Sequence, residues 1–439
     1  MITLRKYPYP YKAAFTICSD IDACTWEDFL DIHAFLNTEN ETPFGEGVSL
    51  EIGDSFWFYS DPDTPEHSFS YYNPDCMTPS KYAGAIRHLI RLGWLDVLHS
   101  YGNFSEALPF QREYAEQALE ECQKENLEIS VWVNHGDRRV NTQDFGQYYG
   151  KGDDPGNPET YHTDLLTELG VTFFWESEKH VSPVVGQERP VSLKEAWWNE
   201  ETLSDSIERL KNVVKIANGY QNKLREKLSL PRVAMWEQDP RKNDLYVPFM
   251  LRDGQELLRF NRFGHGRYDW SDDIPRLINN PMLRKLITSE GTSILYLHIG
   301  DRRDRSQPAL TPASVNSLRL LAEKVHKTKD IFVTTTSRLL RYMAVQQYIE
   351  FDIVQIGSKM VIELSGIALP QFKDYFKDPS TFQGLTFYTE DPDNTEIRWK
   401  NQVLATETNP PDSTGRQSIS IPWEPLRDFP IEELRKIKN

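Results

Sequence analysis

Ala13-Ala14-Phe15-Thr16-Ile17-Cys18-Ser19-Asp20-Ile21-Asp22 is the stretch on which the fold turns. The run 13–18 carries no charge and mixes β-branched with aromatic side chains, so it reads as a strand buried on both faces. The polar residues that follow at once mark its end. The same grammar recurs along the chain. Apolar runs at 94–98, 127–133, 171–175, 232–236 and 293–297 each end in polar residues, and 330–333 closes the series. Helix-patterned segments at 80–92, 108–124, 160–168, 202–228, 274–289 and 311–326 lie between them. Strand and helix in alternation predict an α/β fold with a mostly parallel sheet.

The texture changes after a last amphipathic helix that starts at Thr336. Short alternating segments at 348–354, 360–364, 396–399 and 418–421 are separated by turn sequences such as Asp391-Pro392-Asp393-Asn394 and Asn409-Pro410-Pro411-Asp412. The chain is therefore expected to divide into an α/β domain at 1–347 and a small all-β, sandwich-like domain at 348–439. Lys plus Arg number 49 against 66 Asp plus Glu, a net charge of −17, which repels phosphate backbones and anionic lipid. Nucleic acid is not an expected partner. No stretch approaches 18 apolar residues, so membrane insertion is not expected, and the first ten residues lack the apolar run of an export signal. Cys18, Cys24, Cys76 and Cys122 form no Cys-x-x-Cys pair and read as free thiols, which fits a cytoplasmic protein.

In parallel α/β barrels the chemistry sits at the carboxyl ends of the strands. Here those ends are loaded. Asp20 and Asp22 follow the first strand, His99-Ser100-Tyr101-Gly102-Asn103 the next, and Asn134-His135-Gly136-Asp137-Arg138-Arg139 the third. Glu176 and Glu178, then Glu237 and Asp239, and finally His298 continue the pattern. Taken singly, carboxylates at strand ends also cap helices, and histidines there are often structural. Two nearby carboxylates in different environments, however, allow one to hold a metal while the other stays free as a base. Asp, His and a further polar ligand around an open coordination position describe a hydrolytic metal site.

Over residues 10–345 this arrangement resembles the polysaccharide deacetylase (NodB-homology) family of the glycoside hydrolase/deacetylase superfamily. Asp20-x-Asp22 matches the family's opening aspartates, and His99-Ser100-Tyr101-Gly102-Asn103 resembles its His-Ser/Thr-x-x-His motif with Asn103 in place of the last histidine. Leu295-Tyr296-Leu297-His298 is similar to its Leu-x-His motif, and Phe332-Val333-Thr334-Thr335 to its final strand. The resemblance implies a distorted (β/α)7 barrel and a hydrolase that removes an N-acyl group, acetyl first among them, from an amino sugar by metal-activated water. It implies Asp20 as general base, His298 as general acid, and Asp22 and His99 as ligands of a divalent metal, zinc by preference.

Two departures bear on that ligand set. Asn103 is a neutral and poorer ligand than imidazole, and the family's Arg-Pro-Pro motif is missing. His135 is the candidate to take the third ligand position, and Arg138 or Arg139 to pair with Asp20. Tyr101, His162 and Arg138 are the candidate substrate-binding residues, although His162 also suits a helix-opening packing role. Trp132, Trp175, Trp236 and Trp270 are core aromatics by default, with a sugar-stacking role open to those at the mouth. The segment 146–156 lacks the spacing of a phosphate loop. Arg302 and Arg303 are either solvated or available to an anionic substrate group. Two other functions stay open: a carbohydrate-binding protein that has lost the third ligand, and a glycosidase using Asp20 with Glu176 or Glu237.

Overall fold

The first strand, β1 (Ala13–Ser19), is buried at every position. In the computed structural model, which describes residues 2–135, 144–145, 148–149, 151–177, 181–182, 184–188, 243–264, 268–369 and 378–437, it opens a series of strands and helices. These are α1 (Trp26–Asn37), β2 (Asp54–Phe56), α2 (Ala83–Leu92), β3 (Leu95–His99), α3 (Arg112–Glu125), β4 (Val131–Val133), α4 (Thr163–Leu169) and β5 (Phe173–Trp175). There follow β6 (Tyr246–Met250), β7 (Glu256–Phe260), β8 (Arg262–Phe263), α5 (Asn280–Thr288), β9 (Thr292–Leu297), α6 (Pro312–Ala322), β10 (Ile331–Val333) and α7 (Thr336–Tyr348).

The strands form two largely parallel sheets. One has the order β6-β7-β5-β4-β3-β2, parallel except for β6 against β7. The other runs Val181–Ser182, β8, β9, β1, β10, parallel throughout. β7 and β8 are separated only by Asn261, so one stretch of chain serves both sheets.

Because side chains alternate along a strand, each strand serves two packing layers. Ala14 and Cys18 of β1, Val97 of β3, Val131 and Val133 of β4, Phe173 and Trp175 of β5, Leu258 and Phe260 of β7, Ile294 and Tyr296 of β9 and Phe332 of β10 belong to one hydrophobic cluster shared by both sheets. The intervening residues turn to the helices. Phe15, Ile17, Leu295 and Leu297 pack against α1, α5 and α6; Leu98, Trp132 and Phe174 pack against α2, α3 and α4. Burying each large apolar side chain of this kind contributes roughly 1.5–3 kcal/mol.

The helix ends follow local chemistry. Thr25 Oγ1 accepts from the Asp28 amide to start α1, and the Asn279 side chain accepts from the Met282 amide to start α5, with Pro281 just inside. Gly93 and Gly170 close α2 and α4 at φ 83° and 101°, a conformation that costs a residue without Cβ little.

From Ile349 onward the described elements are strands, apart from short 3-10 turns and one terminal helical turn. β11 (Ile349–Ile356), β12 (Lys359–Ile367), β13 (Thr386–Tyr388), β14 (Thr395–Trp399), β15 (Gln402–Val403), β16 (Glu407–Asn409) and β17 (Ser418–Ser420) make two four-stranded sheets, β11-β12-β14-β15 and β13-β17-β16 extended by Thr3–Leu4. This β-rich part is stitched to the rest at both ends. Thr3–Leu4 pairs with β13, and the returning tail sets Phe429 against Phe29, His33 and Trp94, whose indole donates to the Arg427 carbonyl at 3.1 Å.

The strands expected at 13–18, 94–98, 171–175, 293–297 and 330–333 are present within a residue or two, whereas 127–133 contributes only Val131–Val133. The helix expected from 108 begins at Arg112, after Pro109. The segments 202–228 and 232–236, with Trp236, Glu237 and Asp239, lie outside the described residues. Among the described residues no helix is long and apolar enough to cross a membrane.

Candidate metal centre

Parallel register brings the loaded strand ends together. Leu297 lies opposite Ser19, and both His99 and Trp175 lie opposite Val133. The residues immediately beyond, Asp20, Asn134, His135, Glu176 and His298, therefore leave their sheets at the same end. Two hydrogen bonds fix the loop after β1: the Asp20 amide donates to the Leu297 carbonyl at 2.8 Å and the Ile21 amide to Ser55 Oγ at 2.9 Å. That loop turns through Ala23, at φ 56°, and presents both carboxylates inward.

Asp22 is the hub. His135 Nε2 lies 2.7 Å from its Oδ1 and His99 Nδ1 lies 3.2 Å from its Oδ2. Ligands about 2.1 Å from one cation stand roughly 3–3.5 Å apart, so these spacings suit a shared ion with little movement. Asp22 Oδ2 and His99 Nδ1 are buried and make no hydrogen bond among the described residues, which is costly unless something polar meets them. Burial opposes charge on Asp22, but His99 and His135 outweigh it and hold its carboxyl well below the usual range. A carboxylate and two imidazoles fit a divalent cation. No family model, curated protein or solved structure matches the chain.

Asp20 is held differently. Its Oδ1 accepts from Arg262 Nη1 at 2.9 Å, and Arg262, fully buried, lies over the rings of Trp175 at 4.1 Å and Tyr296 at 5.1 Å. One carboxylate oxygen is thus neutralised and oriented. The other, Oδ2, faces His99 Nε2 at 3.8 Å and His298 Nε2 at 3.9 Å. His298 is backed by Asp269, whose Oδ2 lies 3.4 Å from its Nδ1 and whose carbonyl accepts the His298 amide. Burial disfavours the imidazolium, yet the bond to Asp269 and the charges of Asp22 and Asp20 prevail and push its pKa up to about 10. A cation beside Asp22 would draw that value back toward neutrality.

Packing sets the angles of these groups. Asn134 Oδ1 accepts from the Trp132 indole at 2.7 Å while its amide donates to the Glu176 carbonyl at 3.0 Å, which ties the ends of β4 and β5 and aims His135. Trp57 packs edge-on against His135 at 5.3 Å and lies 5.7 Å from the His99 ring. Gly300 is where the His298 turn meets the Asp22 loop: a Cβ there would sit 2.4 Å from Cys24 Cβ and Sγ.

The structure therefore brings together Asp20, Asp22, His99, His135 and His298. Asn103 is directed elsewhere; its amide donates to Thr64 Oγ1 at 2.5 Å, within a short parallel pairing of Tyr59–Ser60 and Gly102–Asn103. Tyr101 and His162, expected at the substrate, are instead fully buried, 5.2 Å apart ring to ring and packed with Phe110 and Trp132. Their rings complete an aromatic core in which His162 packs on Trp132 at 5.3 Å. Arg138 and Arg139 lie outside the described residues, and Arg262 is the arginine seen on Asp20. Arg302 pairs with Asp28 at 3.0 Å, and Arg303 pairs with Asp273 at 2.6 Å and covers Trp270. Glu176 pairs with Arg259 at 3.2 Å. Arg262 and Asp269 escaped the sequence reading; Asp269-Trp270 lies in a polar loop, and nothing local links Arg262 to a residue 242 positions earlier.

Proposed function

We propose that this chain is a metal-dependent hydrolase of the polysaccharide deacetylase type, which removes an N-acyl group, acetyl first among candidates, from an amino sugar or related carbohydrate in the cytoplasm. The observation that carries the reading is the two-sided use of Asp22, one oxygen facing His135 Nε2 and the other His99 Nδ1, with Asp20 and His298 on the adjoining sides. The fold is read as a distorted (β/α) barrel. Support comes from the hydrophobic cluster common to both sheets and from the run β7–β8 that passes between them.

A divalent cation, zinc by preference, would be held by Asp22, His99 and His135, and would supply polarisation of the amide carbonyl and a more acidic water. Asp20 accepts the proton of the attacking water on Oδ2, since Arg262 occupies and orients Oδ1. His298 delivers a proton to the departing amine from Nε2, with the Asp269 carboxylate 3.4 Å from its Nδ1 favouring the imidazolium.

The test is acetate release from N-acetylated amino sugars, with metal content measured on the same samples. Asp22→Ala is expected to lose both metal and turnover. Asp20→Asn and His298→Ala are expected to keep the metal and lose about 10²- to 10⁴-fold in kcat. Unchanged turnover in Asp22→Ala would overturn the metal-dependent reading.

A further inference from the structure

Asp22 faces a second nitrogen. His298 Nε2 lies 3.7 Å from Asp22 Oδ2 and 3.9 Å from Asp20 Oδ2, so Asp20, Asp22 and His298 gather three ligand atoms within 4.8 Å of one another, as Asp22, His99 and His135 do. Ligands about 2.2 Å from one centre stand roughly 3.1–3.6 Å apart, so these atoms reach the range of zinc with carboxylate and imidazole by a small inward movement. The residues behind this triangle are also those of a metal site. Asp269 takes the Nδ1 side of His298, the carboxylate–histidine arrangement that turns Nε2 toward a cation. Asp22 Oδ2, buried and without a hydrogen-bond partner among the described residues, faces both His99 and His298.

We propose that Asp20, Asp22 and His298 form a second divalent-cation site, weaker than the first and inhibitory, with Asp22 shared between the two. The inference rests on the metal-dependent reading above. Sharing one carboxylate places two ions near the roughly 3.5–4 Å spacing of dinuclear centres. Three features rank the second site below the first: repulsion from the ion already bound, the Arg262 guanidinium 2.9 Å from Asp20 Oδ1, and competition with the proton on His298. Inhibition follows from the identity of the ligands. An ion on Asp20 Oδ2 and His298 Nε2 occupies the atom that accepts the water's proton and the atom that delivers one to the amine.

The test uses the full chain, stripped with a chelator and titrated with Zn²⁺ alone at one fixed pH, with bound metal counted after equilibrium dialysis. Two ions per chain are expected, the second at least tenfold weaker, and deacetylation is expected to fall as the second site fills. His298→Ala should bind one ion with the first affinity within about threefold of wild type. Asp269→Asn, a milder change, should weaken only the second ion, by about 10- to 100-fold. Asp22→Ala should bind neither. A wild-type chain that saturates at one ion, or an Asp269→Asn variant whose second ion binds as in wild type, overturns the second site and leaves the first standing. A chain that binds none overturns the metal-dependent reading itself.

Discussion

Replacing His135 by alanine separates the ligand set proposed from the geometry from the one the motif suggests. His135 Nε2 lies 2.7 Å from Asp22 Oδ1, and its ring is wedged by Trp57 and by the Asn134 bridge, so the imidazole is already in place when a cation arrives. Four-ligand zinc sites bind with about 10–16 kcal/mol, or roughly 2.5–4 kcal/mol per ligand. At about 1.4 kcal/mol per tenfold, losing one ligand weakens binding by about 10²- to 10³-fold. Asn103→Ala removes instead a hydrogen bond to Thr64, worth about 1 kcal/mol of stability, and is expected to leave metal affinity within about threefold of wild type. Competition with a chromophoric chelator measures both variants against wild type, with chemical denaturation as the control for folding. If Asn103→Ala weakened the metal as much as His135→Ala, the spatial assignment of the third ligand would be wrong and the motif position right.

Three other outcomes follow from named contacts. Arg262→Leu strands the Asp20 carboxylate in a buried site, which costs about 3–5 kcal/mol by denaturant unfolding, and adding Asp20→Asn should recover much of that; a loss below about 1 kcal/mol would show the pair to be incidental. His298, at about 10 when folded against 6.5 as a free side chain, binds its proton more tightly in the native state, so the stability it contributes is complete below pH 6.5 and is lost as pH rises toward 10. Thermal melts of chelator-treated protein should fall across that window, by up to about 1.4 kcal/mol per pH unit, and a His298→Gln variant with the same slope would contradict the assignment. Asp22 acts with the opposite sign: its depressed pKa gives stability that is present above about 3.8 and is lost on acidification. Gly300→Ala drives a methyl into Cys24 at 2.4 Å and should cost about 1–3 kcal/mol, together with turnover, because it separates the His298 turn from the Asp22 loop; an unchanged melting temperature would show that the loops give way freely.

What the sequence determined by itself was the place of the long apolar strands along the chain and the chemistry at their ends. A parallel strand covered on both faces must be apolar throughout, so 13–18 and 293–297 stand out in one dimension, and the first polar residues after them, Asp20 and His298, are marked by position alone. The alternating pattern after 348 likewise announced strands, because a period of two survives without knowledge of partners. Short or polar strands left no such trace. Asp54–Phe56 is three residues long and begins with Asp54 and Ser55, and Arg262–Phe263 follows β7 after a single break in the ladder.

Only the tertiary structure decided which groups meet. The motif put Asn103 at the third ligand position, with His135 as the candidate to replace it; the ladder between β3 and β4, and the clamp of Asn134 on Glu176, place His135 on Asp22, while the pairing with Tyr59–Ser60 turns Asn103 to Thr64. Arg262 reaches Asp20 because β8, β9 and β1 are neighbours in one sheet, and Asp269 reaches His298 because Trp270 bridges to His298, contacts between residues far apart in sequence. Tyr101 looks like a site residue in sequence because it stands two positions after His99, yet neighbouring residues at a strand end point in different directions, and His162, at the start of α4, packs as its helix-opening position also suggested. Burial and direction are properties of packing, and packing is what a one-dimensional pattern omits.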